Sequence, residues 1–235
     1  MPQSFWGGVA FIAQKYGSLF LSGAASTLLL AVVGTAAGFL IGLLIAIVRT
    51  IPVRNTDSFF KRAGLKVLRG IFIAYIELFR STPMMVQLLI FSWVIFASVP
   101  MDKLNLVGTL AFGVNSGAYV AEIVRAGIQA VNPGQMEAGR SLGLTKNMTM
   151  RLIIMPQAIK NILPALANEA ITLLKETAIL GYIAVGDITY MATWIRSRTY
   201  SPVPLLVTAL VYLGIVMLMT YGMRKLERRL KRSER

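Results

Sequence analysis

Leu19 to Val48 reads LFLSGAASTLLLAVVGTAAGFLIGLLIAIV, thirty residues without a single charge. A helix needs about 20 apolar residues to cross the roughly 30 Å hydrocarbon core of a bilayer. This run is longer than that, so it is expected to tilt or to protrude. Ser201 to Met223 is similarly uncharged and makes a second span. Three further segments carry ionisable residues: 71–99 holds Glu77 and Arg80, 104–129 holds Glu122 and Arg125, and 166–191 holds Glu169, Lys175, Glu176 and Asp187. The expectation is an all-α polytopic membrane protein of about five transmembrane helices: 19–48, 71–99, 104–129, 166–191 and 201–223. No internal repeat or linker interrupts it, so residues 1–235 are read as a single domain.

Composition agrees with this reading. Of 235 residues 56% are hydrophobic and 14% charged, whereas a soluble domain is about a quarter charged. The net charge of +14 could indicate nucleic acid, but the basic residues are concentrated between apolar runs. They are therefore assigned to the cytoplasmic side of a membrane, and no nucleic-acid partner is expected. The chain has no Cys and no His, which removes disulfides, thiol chemistry, His-ligated metal and imidazole acid–base catalysis. No metal site and no cofactor are expected in this chain. The amino-terminal stretch lacks a basic region followed by a short apolar core, so the first apolar run is read as a retained span.

Lys and Arg set the expected orientation. Arg49, Arg54, Lys61, Arg62, Lys66 and Arg69 fill the first connection, and Arg140, Lys146, Arg151 and Lys160 fall between 130 and 165. The tail RKLERRLKRSER holds seven more. Only Lys15, Lys103, Arg196 and Arg198 lie on the other side, so the N-terminus is placed outside and the C-terminus inside. Asn55 to Arg69 reads either as an amphipathic helix on the inner leaflet, with Phe59, Phe60, Leu65 and Leu68 toward lipid, or as a solvated basic loop.

The cytoplasmic segment 130–165 has its own punctuation. Asn132-Pro133-Gly134 is a turn, and Gln135 to Leu142 a short helix with Glu137 near its positive end. Gly143 is a C-cap, and Thr145 caps a second helix. Met148, Leu152, Met155 and Ile159 give that second helix an apolar face, and Pro156 and Pro164 are expected to break or kink the return into the membrane. The element is too short to fold alone. It must rest against either the chain's own span ends or a partner.

The order Glu137-Ala138-Gly139, three residues, Gly143, nine residues, Ile153-x-Met155-Pro156 resembles the EAA loop of ABC-importer permeases, E-A-A-x3-G-x9-I-x-L-P. Gly139 stands for the second Ala and Met155 for Leu. YIELFRSTPMMVQ (75–87), GAYVAEIVRAGIQAV (117–131), MPQAIKNILPALAN and LLKETAIL resemble signature blocks of the polar amino acid uptake branch, the histidine/glutamine/arginine type. The resemblance runs from about Thr27 to Tyr190. Ala178 departs from it, standing where that branch commonly has Ser.

This resemblance implies the type I ABC importer permease fold with cytoplasmic coupling helices. It implies a multi-pass subunit in the cytoplasmic membrane of a prokaryote that translocates polar amino acids. The implied partners are a cytoplasmic ATP-binding subunit, a second permease (the same or a paralogous chain) and a periplasmic, extracellular or lipid-anchored amino acid-binding protein. ATP and magnesium would belong to the ATPase subunit, and no G-x-x-x-x-G-K-[ST] loop occurs in this chain. Glu137, Ala138, Gly139, Gly143 and Pro156 would form the ATPase-coupling set. The contrasting expectation is a stand-alone secondary carrier or channel, which five spans without inverted repeats suit poorly. No catalytic constellation is present.

Ionisable groups inside a span face the bundle interior or a wet cavity. Glu77 and Arg80 lie three residues apart and share a helix face, so they are expected to be able to pair. Ser81-Thr82-Pro83 follows, a place where the helix can break. Asn115, Tyr119 and Glu122 recur at i, i+4 and i+7, as do Asn168, Thr172 and Lys175. A free amino acid needs an anion donor, for which Arg80 and Thr82 are candidates, and a cation acceptor, for which Glu77 or Glu122 is. Asn115 and Tyr119 complete the candidate substrate set; two carboxylates hint at a basic amino acid, and the family resemblance adds amide ones to the expectation. The alternative is that these groups satisfy one another and lock the bundle.

Overall fold

The computed structural model describes residues 4–51, 53 and 58–232. Its elements are helical: α1 (Phe5–Thr50), α2 (Phe59–Arg80), α3 (Met84–Ile90), α4 (Leu104–Gln129), α5 (Gly134–Ser141), α6 (Lys146–Thr149), α7 (Met155–Glu176), α8 (Ile188–Thr199) and α9 (Val203–Arg232). Among the described residues, three helices are long and apolar enough to cross a membrane, and two helix pairs joined across a short break bring the count to as many as five. The expected spans 71–99 and 166–191 are the two interrupted ones.

The first interruption falls at Ser81-Thr82-Pro83, between α2 and α3. Proline has no N–H and disfavours helix in the residue before it. The freed carbonyls are taken locally: Ser81 N–H donates to Glu77 O at 3.0 Å, and Thr82 Oγ1 donates to Leu78 O at 2.8 Å. The second interruption follows a 3₁₀ turn at Thr177–Ile183. Asp187, counted above among the charges of a span, is instead the N-cap of α8. Its carboxylate accepts from Tyr190 N at 2.8 Å and Thr189 N at 3.2 Å, two of the orphan amides a helix start leaves open.

α1 begins at Phe5, ahead of the expected span 19–48, and at 1.5 Å per residue its 46 residues run about 69 Å. Two further expectations are corrected. Phe59–Arg69 is neither a separate surface helix nor a loop, but the first half of the continuous helix α2. Residues 54–57, which include Arg54 and the start of that stretch, lie outside the described residues. Finally, α7 runs unbroken from Met155 to Glu176 with Pro156 and Pro164 inside it. The strain shows before Pro156 instead, where Met150–Ile154 widens into a π-turn. A proline ring crowds the carbonyl four residues earlier; here Met155 N–H reaches Met150 O, and Gln157 Nε2 donates to Ile153 O at 2.9 Å.

The chain divides into two compact units, and α1, α4 and α7 each contribute to both. One unit comprises 1–36, 83–113 and 170–222. Its core packs Leu30 and Ala31 of α1 with Leu88, Phe112, Leu173 and Leu180. A second cluster sets Ile12 and Phe20 of α1 against Ile188, Ala192 and Ile195 of α8. The buried Thr27 hydroxyl accepts the N–H of Ile188 at 3.1 Å, fixing the start of α8 on α1.

The other unit comprises 37–82, 114–169 and 223–235. Ala46, Val120, Val124, Ile154, Ala158 and Ile162 form one of its cores, and Ile45, Ile76, Ala118 and Ala121 another. Its α1 portion meets α4 through glycine. A Cβ at Gly42 would stand 2.6 Å from Val120 Cβ and 2.8 Å from the Ala121 backbone nitrogen, and one at Gly38 would stand 2.6 Å from Ser116 Cβ. Small residues four apart let two helix backbones approach where no larger side chain fits, a common way to pack spans that gain nothing from hydrophobicity in lipid. Tyr75 of α2 then donates its hydroxyl to Val114 O of α4.

Candidate functional site

The charged residues of α2 and α4 meet inside the second unit. Arg80, at the last turn of α2, places NH1 4.0 Å from Glu122 Oε1, and its guanidinium lies over the Tyr119 ring at 5.6 Å. The expected Glu77–Arg80 pair is not formed: Arg80 turns to Glu122, and Glu77 is exposed and outside the ion pairs of the described residues. Glu122 is further gripped by Arg125 in a two-point contact, Nε to Oε2 at 2.8 Å and NH2 to Oε1. Arg125 NH1 also reaches Gln129 Oε1.

Two guanidiniums thus share one carboxylate, and the cluster keeps a positive excess. Both arginines retain access, with side chains 42% and 38% exposed. Glu122, already bound twice, is poorly placed to receive an ammonium; what the cluster offers a ligand is a cation. Asn115 is buried and donates Nδ2 to Phe79 O at 3.4 Å, tying α4 to the last turn of α2. Thr82 sits in the helix break with its hydroxyl turned back to Leu78 O.

The structure brings Arg80, Tyr119 and Glu122 together, sets Asn115 beside them as a positioning residue, and leaves Glu77 apart. Arg125 was not singled out from sequence, although its place three residues after Glu122 is a standard helical pairing distance. Ser116 Oγ, which donates to Glu169 Oε1 at 3.0 Å, carried no local signal, because the partners are fifty-three residues apart. Asn168, Thr172 and Lys175 lie exposed along α7.

The loop 130–165 forms the second candidate surface. Asn132 Oδ1 accepts from Gly134 N at 2.8 Å and starts the turn. α5 ends in a Schellman closure: Leu144 N bonds Gly139 O at 3.1 Å and Gly143 N bonds Arg140 O at 3.0 Å, with Gly143 at φ +83°. That left-handed conformation is one glycine adopts without penalty. Thr145 accepts from Met148 N and starts α6, as its position predicts. Glu137, Ala138, Gly143 and Pro156 are exposed, and Gly139 is buried. Met148, Leu152 and Ile159 are also exposed, while Ile154, Ala158 and Ile162 point into the core. The apolar face expected from spacing therefore remains open, and a second face seats the element on its own spans.

Gly139 has a specific reason to lack a side chain. A Cβ there would fall 2.5 Å from Thr149 Cγ2 and 2.9 Å from Thr149 Oγ1, and Thr149 is fully buried with its hydroxyl bonded to Thr145 O at 3.1 Å. The space an alanine methyl would fill is occupied by Thr149. Gly139→Ala is expected to lower stability by about 1–3 kcal/mol, the usual cost of overpacking. Thr149→Ser in the same chain should recover most of it. Thermal unfolding of the purified protein checks this; an alanine variant melting with the parent would refute it.

Comparison with known proteins supplies the family. Residues 58–232 match the family described as binding-protein-dependent transport system inner membrane component. The chain is similar to the "Probable glutamine ABC transporter permease protein GlnM" of Bacillus subtilis, 36% identical over 221 residues that cover 92% of this chain and 95% of that one. It is also similar to the arginine transport system permease protein ArtQ of the same organism, 35% identical over 217 residues covering 91% and 93%. Among solved structures, an amino acid ABC transporter crystallised with histidines superposes with a TM-score of 0.82 and 41% identity, over 97% of this chain and 100% of that one. Nothing in these relationships supports a stand-alone carrier or channel, and permeases of this kind work with an ATPase subunit, a second permease and a binding protein. The chain belongs to the binding-protein-dependent transport system inner membrane components: it is the permease subunit of an ABC importer, with the type I permease fold.

Proposed function

We propose that this permease carries polar amino acids, as the names of its glutamine and arginine relatives suggest, and that Arg80 meets the substrate carboxylate. The observation that carries the reading is the Arg80–Glu122–Arg125 cluster, in which two guanidiniums share one carboxylate against the Tyr119 ring. Glu122 holds Arg80 in place, Asn115 and Thr82 order the end of α2, and the unpaired Glu77 is the acceptor for the substrate ammonium. The N-terminus lies outside and the C-terminus inside, which puts Glu137, Ala138, Gly139, Gly143 and Pro156 in the cytoplasm against the ATP-binding subunit. ATP-driven closure of that subunit moves the loop and switches the spans between inward- and outward-facing packings, a rigid-body transition. The partner permease and the external binding protein complete the complex.

Reconstituted uptake of glutamine and arginine tests this. A charged hydrogen bond contributes about 1.5–3 kcal/mol, and 1.4 kcal/mol is a factor of ten. Arg80→Gln is therefore expected to lower kcat/KM by about 10- to 100-fold for both substrates, in a complex that still assembles. Glu122→Gln should act in the same direction through the orientation of Arg80. Uptake kinetics unchanged in the Arg80 variant would remove it from the transport path.

A further inference from the structure

The second unit contains a groove that is bounded at one end by the coupling element. It encloses about 420 Å³, within the range of pockets that hold small ligands. Phe39, Leu43 and Ile47 of α1 form one wall, Val124 and Ile128 of α4 the back, and Ile159 and Leu163 of α7 the other wall. The lining is apolar apart from Thr50, Asn147 and Lys146. No carboxylate lines it. Lys146 is exposed and outside the ion pairs of the described residues. A smaller cavity of about 280 Å³ shares Ala46, Thr50, Val124 and Ile128 with the groove and adds Arg49 and Arg125, the latter already bound to Glu122.

We propose that the groove seats one anionic phospholipid, an acyl chain between α1, α4 and α7 and its phosphate on Lys146 with Asn147. Three arguments select this occupant. The α1 and α4 walls are hydrocarbon-like and belong to helices long and apolar enough to cross a membrane, so lipid is the solvent that reaches them. The polar end is cationic, with Arg49 just behind the shared wall, and basic pockets beside the ends of spans select anionic headgroups. Protein partners generally bring their own mixed polar rim, whereas only one end of this groove is polar. Lys146 opens α6, directly after the cap Thr145, so the lipid would join the end of α1 to the coupling element. The assignment depends on neither the substrate nor the orientation proposed above.

The test uses the assembled transporter, with native mass spectrometry after exchange into an equal mixture of phosphatidylglycerol and phosphatidylethanolamine. The parent is expected to retain one phosphatidylglycerol in preference to phosphatidylethanolamine. Lys146→Glu should lower that preference about fivefold or more, the factor one lysine contributes near an anionic surface, while Lys146→Arg keeps it. In the unmodified protein, a phosphatidylglycerol bearing a photoreactive acyl chain should label residues 39–50 and 124–128 above α9, whose exposed Leu206, Leu210, Leu213 and Met217 sample bulk lipid. Unchanged retention in Lys146→Glu overturns the proposal. So does equal labelling of α9 and the groove, which would mean ordinary annular lipid, and so does cross-linking of the groove to another subunit in place of lipid.

Discussion

A Gly42→Leu chain is expected not to accumulate as a folded protein. The Cβ alone would stand 2.6 Å from both Val120 Cβ and Cγ1 and 2.8 Å from Ala121 N. Two of those atoms are rigidly placed by the α4 backbone, so no rotamer change relieves the contact. Extra methylenes in a packed interior cost about 1–3 kcal/mol where side chains can yield, and more where they cannot; here the helices themselves must part. Gly214→Leu is the matched control, because a Cβ on that α9 position meets nothing within 4 Å. Size-exclusion chromatography of detergent extracts distinguishes them: the Gly42 variant should run as aggregate or be missing, and the Gly214 variant should elute with the parent. A monodisperse Gly42→Leu peak would show that the α1–α4 approach does not hold this unit together.

The second large effect is functional. Gly143→Val should leave the complex assembled and abolish substrate-stimulated uptake, a loss of at least about tenfold. Nothing lies within 4 Å of a Cβ at this position, so a steric clash is not the cause. The cause is φ +83°, a region where an L-residue costs about 1–2 kcal/mol and a β-branched one is an outlier. The cheapest escape is for the turn to flip. That breaks the Leu144–Gly139 and Gly143–Arg140 bonds and moves α5 relative to α6 on the surface proposed above to meet the ATPase. Gly143→Asn, which tolerates the left-handed region, should retain most uptake. ATPase and uptake assays on the same proteoliposomes check the separation of hydrolysis from transport. Normal stimulated uptake with valine at 143 would sink it.

What the sequence made legible follows from the range of the forces involved. Turns and caps at Asn132–Gly134, Gly143 and Thr145 are local, and they stand where side-chain chemistry puts them. The uncharged runs locate the spans for the same reason. The start of α1 was hidden because Gly7, Gly8, Gln14 and Lys15 dilute the apolar signal, yet Ile12 and Phe20 pack against α8 and hold those turns helical. Helix spacing suggested Glu77 for Arg80 because i, i+3 is the pair a single helix can offer. The choice of Glu122 depends on how α2 meets α4, forty-two positions away in the chain, and that is decided by Gly117, where a Cβ would stand 2.8 Å from the Tyr75 hydroxyl, and by Tyr75 on Val114. The Ser116–Glu169 bond is of the same kind. Gly139 stands where the pattern has its second Ala because Thr149, ten positions on, fills the space a methyl would need.

The π-turn at Met150–Ile154 has a bearing on descent. A helix containing one such turn holds one residue more than an α-helix of the same path, and each residue turns a helix by about 100°. Such a turn is what a single-codon insertion leaves behind when both flanks are too well seated to move. On one flank Thr149 fits Gly139, and on the other Ile154, Ala158 and Ile162 are set in the core. A lineage that gained or lost that codon could re-aim Lys146–Thr149 by a little over a quarter of a turn while the core-facing residues kept their seats, so the two ends of this helix are free to answer to different selective pressures.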